Sequence, residues 1–521
     1  MKSTAQQILE SAPRRFRPEK AQNFNTTFHF IITGDEALQY SLIIADGTCT
    51  LHKELTGTPD CVIKTKAQTY IALETGQANP QMALMTGKVS VSNIGAMMQF
   101  AKCFRKFDES YVTNAPTQQL PESKQRNPRK GPLHGVTILD FTRLLPGPLA
   151  TMMLADMGAD VIKIEDPDSP DYIRDFEPML GSTSAFYYAL NRNKRSLSVN
   201  FLSPEGKALI IELVKKADVL LEQYRPGVMK NFGLDYDTLK AINPKLVYVS
   251  ITGYGQQSSL SQAAGHDLNY IATAGLLGIT GTIDEPVIPG FQVADIAGGS
   301  YSAISAVTAA LFQRERTGSG DHIDIAMTDC ILPFMALPFA AQQATGMGAE
   351  RGKFQLSGSL ANYNIYACAD GKHIAMGALE PKFWNKVCER LGKPEWRDKI
   401  IGNEATQNEL KAALRDLFKQ KTRSEWIQFF GTDDVCISAV NDIDEVANDP
   451  YLIEKNAYIN FDIEGRSFKT IAQPIRFKSM TKTDNWLAPA LGEDTLAILR
   501  SLHISDEKIL ELTQKNVIKT G

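Results

Sequence analysis

The sequence predicts an α/β protein, a doubly wound parallel sheet preceded by a smaller α+β module. Three observations carry this. From residue 133 onward, short apolar strands alternate with amphipathic helices, the rhythm of a parallel sheet covered on both faces. Residues 1–107 run strands first and helices afterwards, an α+β order. Between them, residues 108–132 hold a polar, basic, proline-rich run that includes Ser123-Lys124-Gln125-Arg126-Asn127-Pro128-Arg129-Lys130. It reads as a tether that buries almost nothing.

In the first module, residues 28–32, 38–45 and 49–53 are strand-like runs broken by Gly-Asp and Asp-Gly turns, and Val62-Ile63-Lys64 is a fourth. The period then changes. Residues 70–73 and 82–85 fit short helices, and residues 94–104 fit a final amphipathic one carrying Met97, Met98, Phe100, Ala101 and Phe104. Its methionines suit core packing or the lining of an apolar ligand site.

In the large module, residues 136–141 form a buried-type strand. Pro146-Gly147-Pro148 follows, with Pro148 suited to start a helix over residues 149–157. Strands over 161–164, 219–221 and 246–251 alternate with helices over 204–216 and 236–243. No Gly-x-Gly-x-x-Gly follows the first strand, so no dinucleotide cofactor is expected. The most apolar stretch, 297–312, is interrupted by Ser, Thr and Gly and is too short to cross a bilayer. It reads as a buried helix, and no stable membrane insertion is expected.

A length of 521 residues allows roughly three to four domains. Net charge is −4, without the basic excess that nucleic acid would require. Residues 1–130 nevertheless hold 16 Lys and Arg against 11 Asp and Glu, a mild basic bias that suits an anionic amphiphile or a membrane surface. The seven cysteines are scattered without a Cys-x-x-Cys, which suggests neither zinc nor a disulfide framework. The first residues lack an apolar signal core, and Val-Ile-Lys-Thr-Gly is not a peroxisomal address. A cytoplasmic location is the expectation.

Two side chains suited to moving protons near neutral pH stand in glycine-rich surroundings. His266 lies in Ala264-Gly265-His266-Asp267-Leu268-Asn269-Tyr270, and Asp295 lies in Val293-Ala294-Asp295-Ile296-Ala297-Gly298-Gly299. Read without further context, His-Asp before an apolar run is also a helix N-cap, and Asp before Gly-Gly is also a turn.

Longer motifs add two resemblances. Asp46-Gly47, the run Thr75-Gly76-Gln77-Ala78-Asn79-Pro80-Gln81-Met82-Ala83, Met85-Thr86-Gly87-Lys88-Val89-Ser90-Val91 and the Met-rich last helix resemble the sterol carrier protein 2 domain. That resemblance implies a lipid-binding domain over residues 1–107 whose sheet and helices enclose an apolar tunnel for a fatty acyl, acyl-CoA or sterol ligand. The large module resembles the family III CoA-transferases, of the CaiB/BaiF type. The motifs are Leu139-Asp140-Phe141-Thr142-Arg143-Leu144-Leu145-Pro146-Gly147-Pro148, the run Leu154 to Glu165, Asn191-Arg192-Asn193-Lys194-Arg195-Ser196, Glu222-Gln223-Tyr224-Arg225-Pro226-Gly227 and Arg316-Thr317-Gly318-Ser319-Gly320. The resemblance implies a Rossmann-like large domain at 133–344, a small domain at 345–450, and a C-terminal segment, 451–521, returning to the large one. It also implies an interlocked homodimer that binds acyl-CoA. Coenzyme A is then part of the substrate, and no separate cofactor is implied.

Within that family, Gly265 to Tyr270 and Ala378-Leu379-Glu380-Pro381-Lys382-Phe383-Trp384 resemble the α-methylacyl-CoA racemase branch. Asp295 and Glu380 follow His266 by 29 and 114 residues. The resemblance implies that His266 and Asp295 exchange the α-proton of a 2-methylacyl-CoA on opposite faces, through an enolate. Backbone N–H groups over Asp295 to Gly298 would meet the enolate oxygen. Glu380 would orient His266, and Asp267 would stand near the CoA or cap a helix. Arg225 and Lys230 match positions at the CoA phosphate end, with Arg192, Lys194 and Arg195 as a basic cluster beside it. The alternative within the family is an acyl-CoA:carboxylate CoA-transferase using Asp295 as nucleophile. A third reading, from another class, is a catalytically silent lipid or acyl-CoA carrier.

Overall fold

The computed structural model describes residues 4–21, 24–78, 80–108, 120, 126, 129–348, 350–478, 480 and 485–521. Most of the tether's residues, and Asn79 of the first motif, lie outside them. The chain forms two compact units, Met1–Glu122 and Ser123–Gly521.

The first unit opens with a helix that the sequence reading did not contain, Ala5–Glu10, which buries Ala5, Ile8 and Leu9. Thr4 caps it, its hydroxyl accepting from the Gln7 N–H at 3.2 Å. Strands β1 (Thr26–Thr33), β2 (Leu38–Ala45), β3 (Thr48–His52), β4 (Cys61–Lys66) and β5 (Val89–Val91) form one sheet in the order β3-β2-β1-β4-β5. The expected strands are present within a few residues, and β5 is added at the edge. Helices Ala67–Glu74, Pro80–Met85 and Ile94–Cys103 follow. Phe28, Phe30, Tyr70, Phe100 and Phe104 pack the core, with Phe100 stacked on Phe104 at 4.2 Å. Met97 packs against this core from the last helix.

The second unit is built on β6 (Thr137–Phe141), β7 (Asp160–Glu165), a short hairpin of β8 (Met179–Leu180) and β9 (Thr183–Ser184), β10 (Arg195–Val199), β11 (Val219–Glu222), β12 (Val247–Thr252) and β13 (His322–Ala326). Six of these, with the C-terminal strand Ile518–Lys519, make a seven-stranded sheet in the order β13-β12-β11-β6-β7-β10-C-terminal strand. Only that last pairing is antiparallel. The order reverses between β6 and β11. Ligands of doubly wound sheets bind beyond the strand ends at such a reversal.

A smaller lobe carries its own core of Tyr366, Ile374, Trp384, Leu410, Phe418 and Trp426. It is built on β14 (Tyr363–Ala367), β15 (His373–Gly377) and β16 (Ile437–Ala439). A hairpin of β17 (Tyr458–Ile463) and β18 (Arg466–Ile471) follows, and the C-terminal strand rejoins the large sheet. Among the described residues, no helix is long and apolar enough to cross a membrane.

The tether departs from its reading. Arg126 donates to Asp494 at 2.8 and 3.3 Å, approaches Glu493 at 3.1 Å and lies over Trp486. Arg129 is buried and donates to Asn193 at 2.9 Å. The distal end of the tether is therefore part of the second unit. A run of Arg and Lys looks solvated in sequence because its partners, up to 368 residues away, are invisible there.

Candidate active site

The site forms where two helix starts meet. After β12 the chain runs irregularly to Gly265, and His266 is the N-cap of the helix Asp267–Thr273, with extended backbone. Its N–H donates to the Asn269 side chain at 3.0 Å. The turn is fastened by the Tyr270 hydroxyl, which donates to the Gly265 carbonyl at 2.6 Å. Tyr270 also packs edge-on against Tyr254 at 5.2 Å. Gly265 is required there, because a Cβ would stand 2.7 Å from the Tyr270 ring. This packing leaves the His266 side chain exposed, while Tyr270 and Ile271 enter the core of the large sheet.

Asp295 lies in the first turn of a π-helix, Ala294–Tyr301, which continues into the helix Ser302–Thr317. Such wide turns are rare and cluster at functional sites. Two neighbours press on it. A Cβ at Gly298 would come within 2.8 Å of the Met327 carbonyl oxygen, and one at Gly299 within 2.8 Å of Pro146 Cβ. The buried Ser300 hydroxyl sits between the Pro146 carbonyl at 2.7 Å and the Asp295 carbonyl at 3.2 Å. The Gly-Gly pair thus admits the start of the helix Pro146–Asp156 against the turn that carries Asp295.

One hydrogen bond joins the two helix starts. The Asp295 N–H donates to Asp267 Oδ1 at 2.9 Å. Asp267 therefore caps the neighbouring turn rather than acting alone on its own helix. Burial, and then the charge of Asp267, push the Asp295 carboxyl up to about 7. A carboxyl at that value gives up and takes back a proton near neutrality. The Asp295 N–H is taken by Asp267, and the Ile296 N–H donates to the Gln292 carbonyl at 3.0 Å. These two donors of the expected Asp295 to Gly298 set are engaged and do not face an incoming oxygen.

Cations gather at the strand-order reversal. Arg225 and Lys230 are exposed and make no ion pair among the described residues. Arg225 follows the end of β11, near Tyr270, whose hydroxyl is pushed up to about 12 by burial and then by the charge of Asp295, with Arg225 opposing the rise. Arg143, to which the sequence reading gave no role, follows β6. It lies 5.3 Å over the Tyr224 ring and donates to the Tyr224 hydroxyl at 3.2 Å. The strand-order rule marks this position once β6 and β11 are known to be neighbours. Glu222 holds the same loop: it is buried at the end of β11 and accepts from the Tyr224 N–H at 2.8 Å. Burial pushes its carboxyl up to about 7.

The cluster of Arg192, Lys194 and Arg195 does not serve as expected. Arg192 is buried against Asp156 at 2.6 Å, and Lys194 is buried against Asp140 at 3.0 Å. Arg195 pairs with Asp160. Their charges are spent inside the large unit, because the parallel sheet returns them to carboxylates 35 to 54 residues upstream. Lys163 completes the buried network, donating to Asp171 at 2.9 Å and to the Thr142 carbonyl at 3.0 Å. Asp171 also accepts from the N–H of Leu144, which holds a left-handed φ of 61°. The network thereby fixes the strained turn between β6 and the helix that presses on Asp295.

Glu380 is exposed at the start of the helix Pro381–Arg390, on the smaller lobe. Among the described residues, no hydrogen bond or ion pair joins it to His266 or Asp295. Glu380 stands on a lobe with a core of its own, whereas His266 and Asp295 rest on the core of the large sheet. The expected orienting contact is thus not made within the chain. Among the described residues, no group of three His, Cys, Asp or Glu is placed to hold a metal ion.

With a parallel sheet, His266 and Asp295 on two abutting helix starts, and cations at the reversal that form no ion pair among the described residues, the chain belongs to the CoA-transferase family III. The family model matches residues 133–495, and the SCP-2 sterol transfer family model matches residues 5–105. The chain is 32% identical to human alpha-methylacyl-CoA racemase over 75% of this chain and 98% of that protein. It is 34% identical to human succinyl-CoA:glutarate CoA-transferase over 76% of this chain and 92% of that one. Among solved structures, a CAIB/BAIF family protein from Brucella suis superposes with a TM-score of 0.64 at 32% identity, covering 72% of this chain and 100% of that one.

Proposed function

We propose that the protein is an α-methylacyl-CoA racemase-like enzyme that inverts the 2-methyl centre of branched-chain or sterol-derived acyl-CoA thioesters. The observation that carries this reading is the Asp267–Asp295 hydrogen bond. It ties the residue after His266 to a carboxyl that titrates near neutrality. A thioester carbonyl acidifies the α-carbon, and its enolate accepts a proton on either face. In one direction His266 removes the proton and Asp295 delivers one to the other face; in the reverse direction the roles exchange. Arg225, Lys230 and Arg143 take the anionic end of the CoA. Asp267 raises the proton affinity of Asp295.

The fused first unit carries the greasy acyl ligand and raises its local concentration. The exposed apolar residues Phe334, Leu337 and Phe339 give a second copy a surface to cover, which suits a homodimer. No nucleic-acid partner and no separate cofactor belong to this reading, and its location is the cytoplasm.

The family's transferases supply a second reading, favoured by identity to them as high as to the racemase. There Asp295 attacks the thioester carbonyl and expels the CoA thiolate, giving a mixed anhydride; the thiolate then attacks the aspartyl carbonyl, the acyl group leaves as its carboxylate, and an aspartyl-CoA thioester remains. Two measurements separate the readings. The racemase reading predicts inversion of a 2-methylacyl-CoA without any carboxylate acceptor, and activity that survives hydroxylamine. Strict acceptor dependence, with hydroxylamine inactivation only after acyl-CoA is added, would establish the transferase instead.

A further inference from the structure

Glu222 is a buried acid that the proposed chemistry leaves unused, and it belongs to a chain of three side chains. Paired residues of parallel strands point to the same side, so register sets two rows on one face of the large sheet. Glu222 of β11, Ser250 of β12 and Asp324 of β13 form one row, and Leu220, Tyr248 and His322 form the next. Glu222 and Ser250 are buried, 4% and 1% exposed. The Ser250 side chain bonds the Glu222 carboxyl on one side and lies 3.1 Å from His322 Nε2 on the other. His322 reaches solvent on the edge strand, stacked on Tyr236 at 5.0 Å and edge-on to Tyr248 at 5.2 Å. The chain thus runs from the surface to the carboxyl that accepts the Tyr224 N–H and holds the loop carrying Arg225.

A hydroxyl carries one proton. Ser250 can give it to an ionised Glu222 or to a bare His322 Nε2, and not to both. With Glu222 ionised, Ser250 donates to the carboxylate, and His322 Nε2–H donates to Ser250. With Glu222 protonated, its own O–H donates to Ser250, and Ser250 donates to His322, which then carries its proton on Nδ1. Passing from the second state to the first releases one proton to water, and His322 trades Nδ1–H for Nε2–H by exchange with water. Partial burial lowers the imidazole below its usual range, against the charges of Asp324, Asp237 and Asp321, so the ring is neutral where the carboxyl titrates. Glu222 faces Ser250 and Tyr248 from β12, Asp324 from β13, the uncharged Phe141 from β6 and Tyr224 from its own loop, against which Arg143 stands.

We propose that Glu222, Ser250 and His322 form a pH-responsive latch, in which the ionised Glu222 tightens the Tyr224–Arg225 loop on the anionic end of CoA and the state of Glu222 is written into the tautomer of His322. A carboxylate accepts the Tyr224 N–H more strongly than a protonated carboxyl does, which sets the direction. CoA therefore binds more tightly as pH rises through the range where Glu222 ionises, and by linkage its binding expels the Glu222 proton. The latch rests on the reading of Arg225 as a contact for the anionic end of CoA, which the racemase and transferase readings share.

Calorimetric binding of CoA itself to the full chain across neutral pH tests it without turnover. Wild type should gain affinity as pH rises through about 7. Glu222→Gln, nearly isosteric and never charged, should bind about five-fold more weakly at the alkaline end. It should keep only the slope that the ligand's own phosphate imposes, with its second ionisation near about 6. The imidazole gives a second readout. In protein labelled with 13C-histidine, His322→Phe assigns the resonance while keeping a ring on Tyr236. Wild type should pass from Nδ1–H to Nε2–H over the same pH range. Glu222→Gln should stay Nδ1–H, because its amide N–H donates to Ser250 and turns the hydroxyl toward His322. Ser250→Ala alters no charge, and should make the tautomer indifferent to Glu222 and move the rise in CoA affinity to higher pH. The same pH slope in wild type, Glu222→Gln and Ser250→Ala would overturn the latch and leave the CoA site standing, as would a wild-type tautomer that does not change. No CoA binding at any pH would overturn the reading of the site and the latch with it.

Discussion

Asp295 and Asp267 are two carboxylates held by one backbone hydrogen bond, and their electrostatics have a direct consequence. Burial raises Asp295 first, and Asp267 raises it further, to about 7. In the direction where Asp295 delivers the proton, the rate falls as pH rises through that value. Asp267→Asn removes the second cause, so Asp295 moves toward its ordinary value. The falling limb of the pH profile should then shift to lower pH in the Asn variant, and an unmoved limb would contradict the coupling. At this scale the sequence singled out His266 and Asp295 by residue type and Asp267 as a CoA neighbour or a cap, and the structure joins Asp267 to Asp295 by one hydrogen bond. The sequence was not legible for Arg192 and Lys194. A basic side chain looks the same in sequence whether it meets a phosphate or a buried carboxylate.

At the scale of elements, the π-helix fixes where Asp295 stands, and its glycines let two other segments close on it. The sequence reading placed a helix over 297–312, and the helical run there begins at Ala294 and ends at Thr317. The wider turn escaped it, because it follows from what packs against Gly298 and Gly299 rather than from their identity. Gly298→Ala would force a Cβ to within 2.8 Å of the Met327 carbonyl oxygen, a backbone atom that cannot swing away. Overpacking of this kind costs about 1–3 kcal/mol. A lower melting midpoint together with a lower kcat is expected, and unchanged values for both would show that the turn tolerates displacement. The alternation of strands and helices was legible because each buried parallel strand is a short apolar run. The strand Ser196 shares with its neighbours was not, since Arg195–Val199 alternates polar and apolar residues while its serines are buried in the sheet.

At the scale of the whole molecule, the tether does more than connect. Asp494 is buried at the start of the helix Thr495–Ser501, and its carboxylate accepts from the Ser196 N–H and from Arg126. Removing one partner of a buried ion pair costs about 3–5 kcal/mol, because the other charge is left without compensation. Arg126→Ala should therefore lower the denaturant midpoint of the second unit, and a midpoint equal to wild type would show that Arg126 contributes nothing. The match to the transferase family model covers residues 133–495, so Arg126 lies outside it while its partner Asp494 lies within.

The central claim is that His266 and Asp295 serve opposite faces of one α-carbon. The most direct measurement is solvent deuterium exchange into each enantiomer of a 2-methylacyl-CoA, without a carboxylate acceptor, in His266→Ala and Asp295→Asn. The account predicts that wild type exchanges both enantiomers, and that each variant retains exchange of one enantiomer only, a different one in each. Wild type without α-deuterium, or both variants exchanging both enantiomers as wild type does, would contradict it.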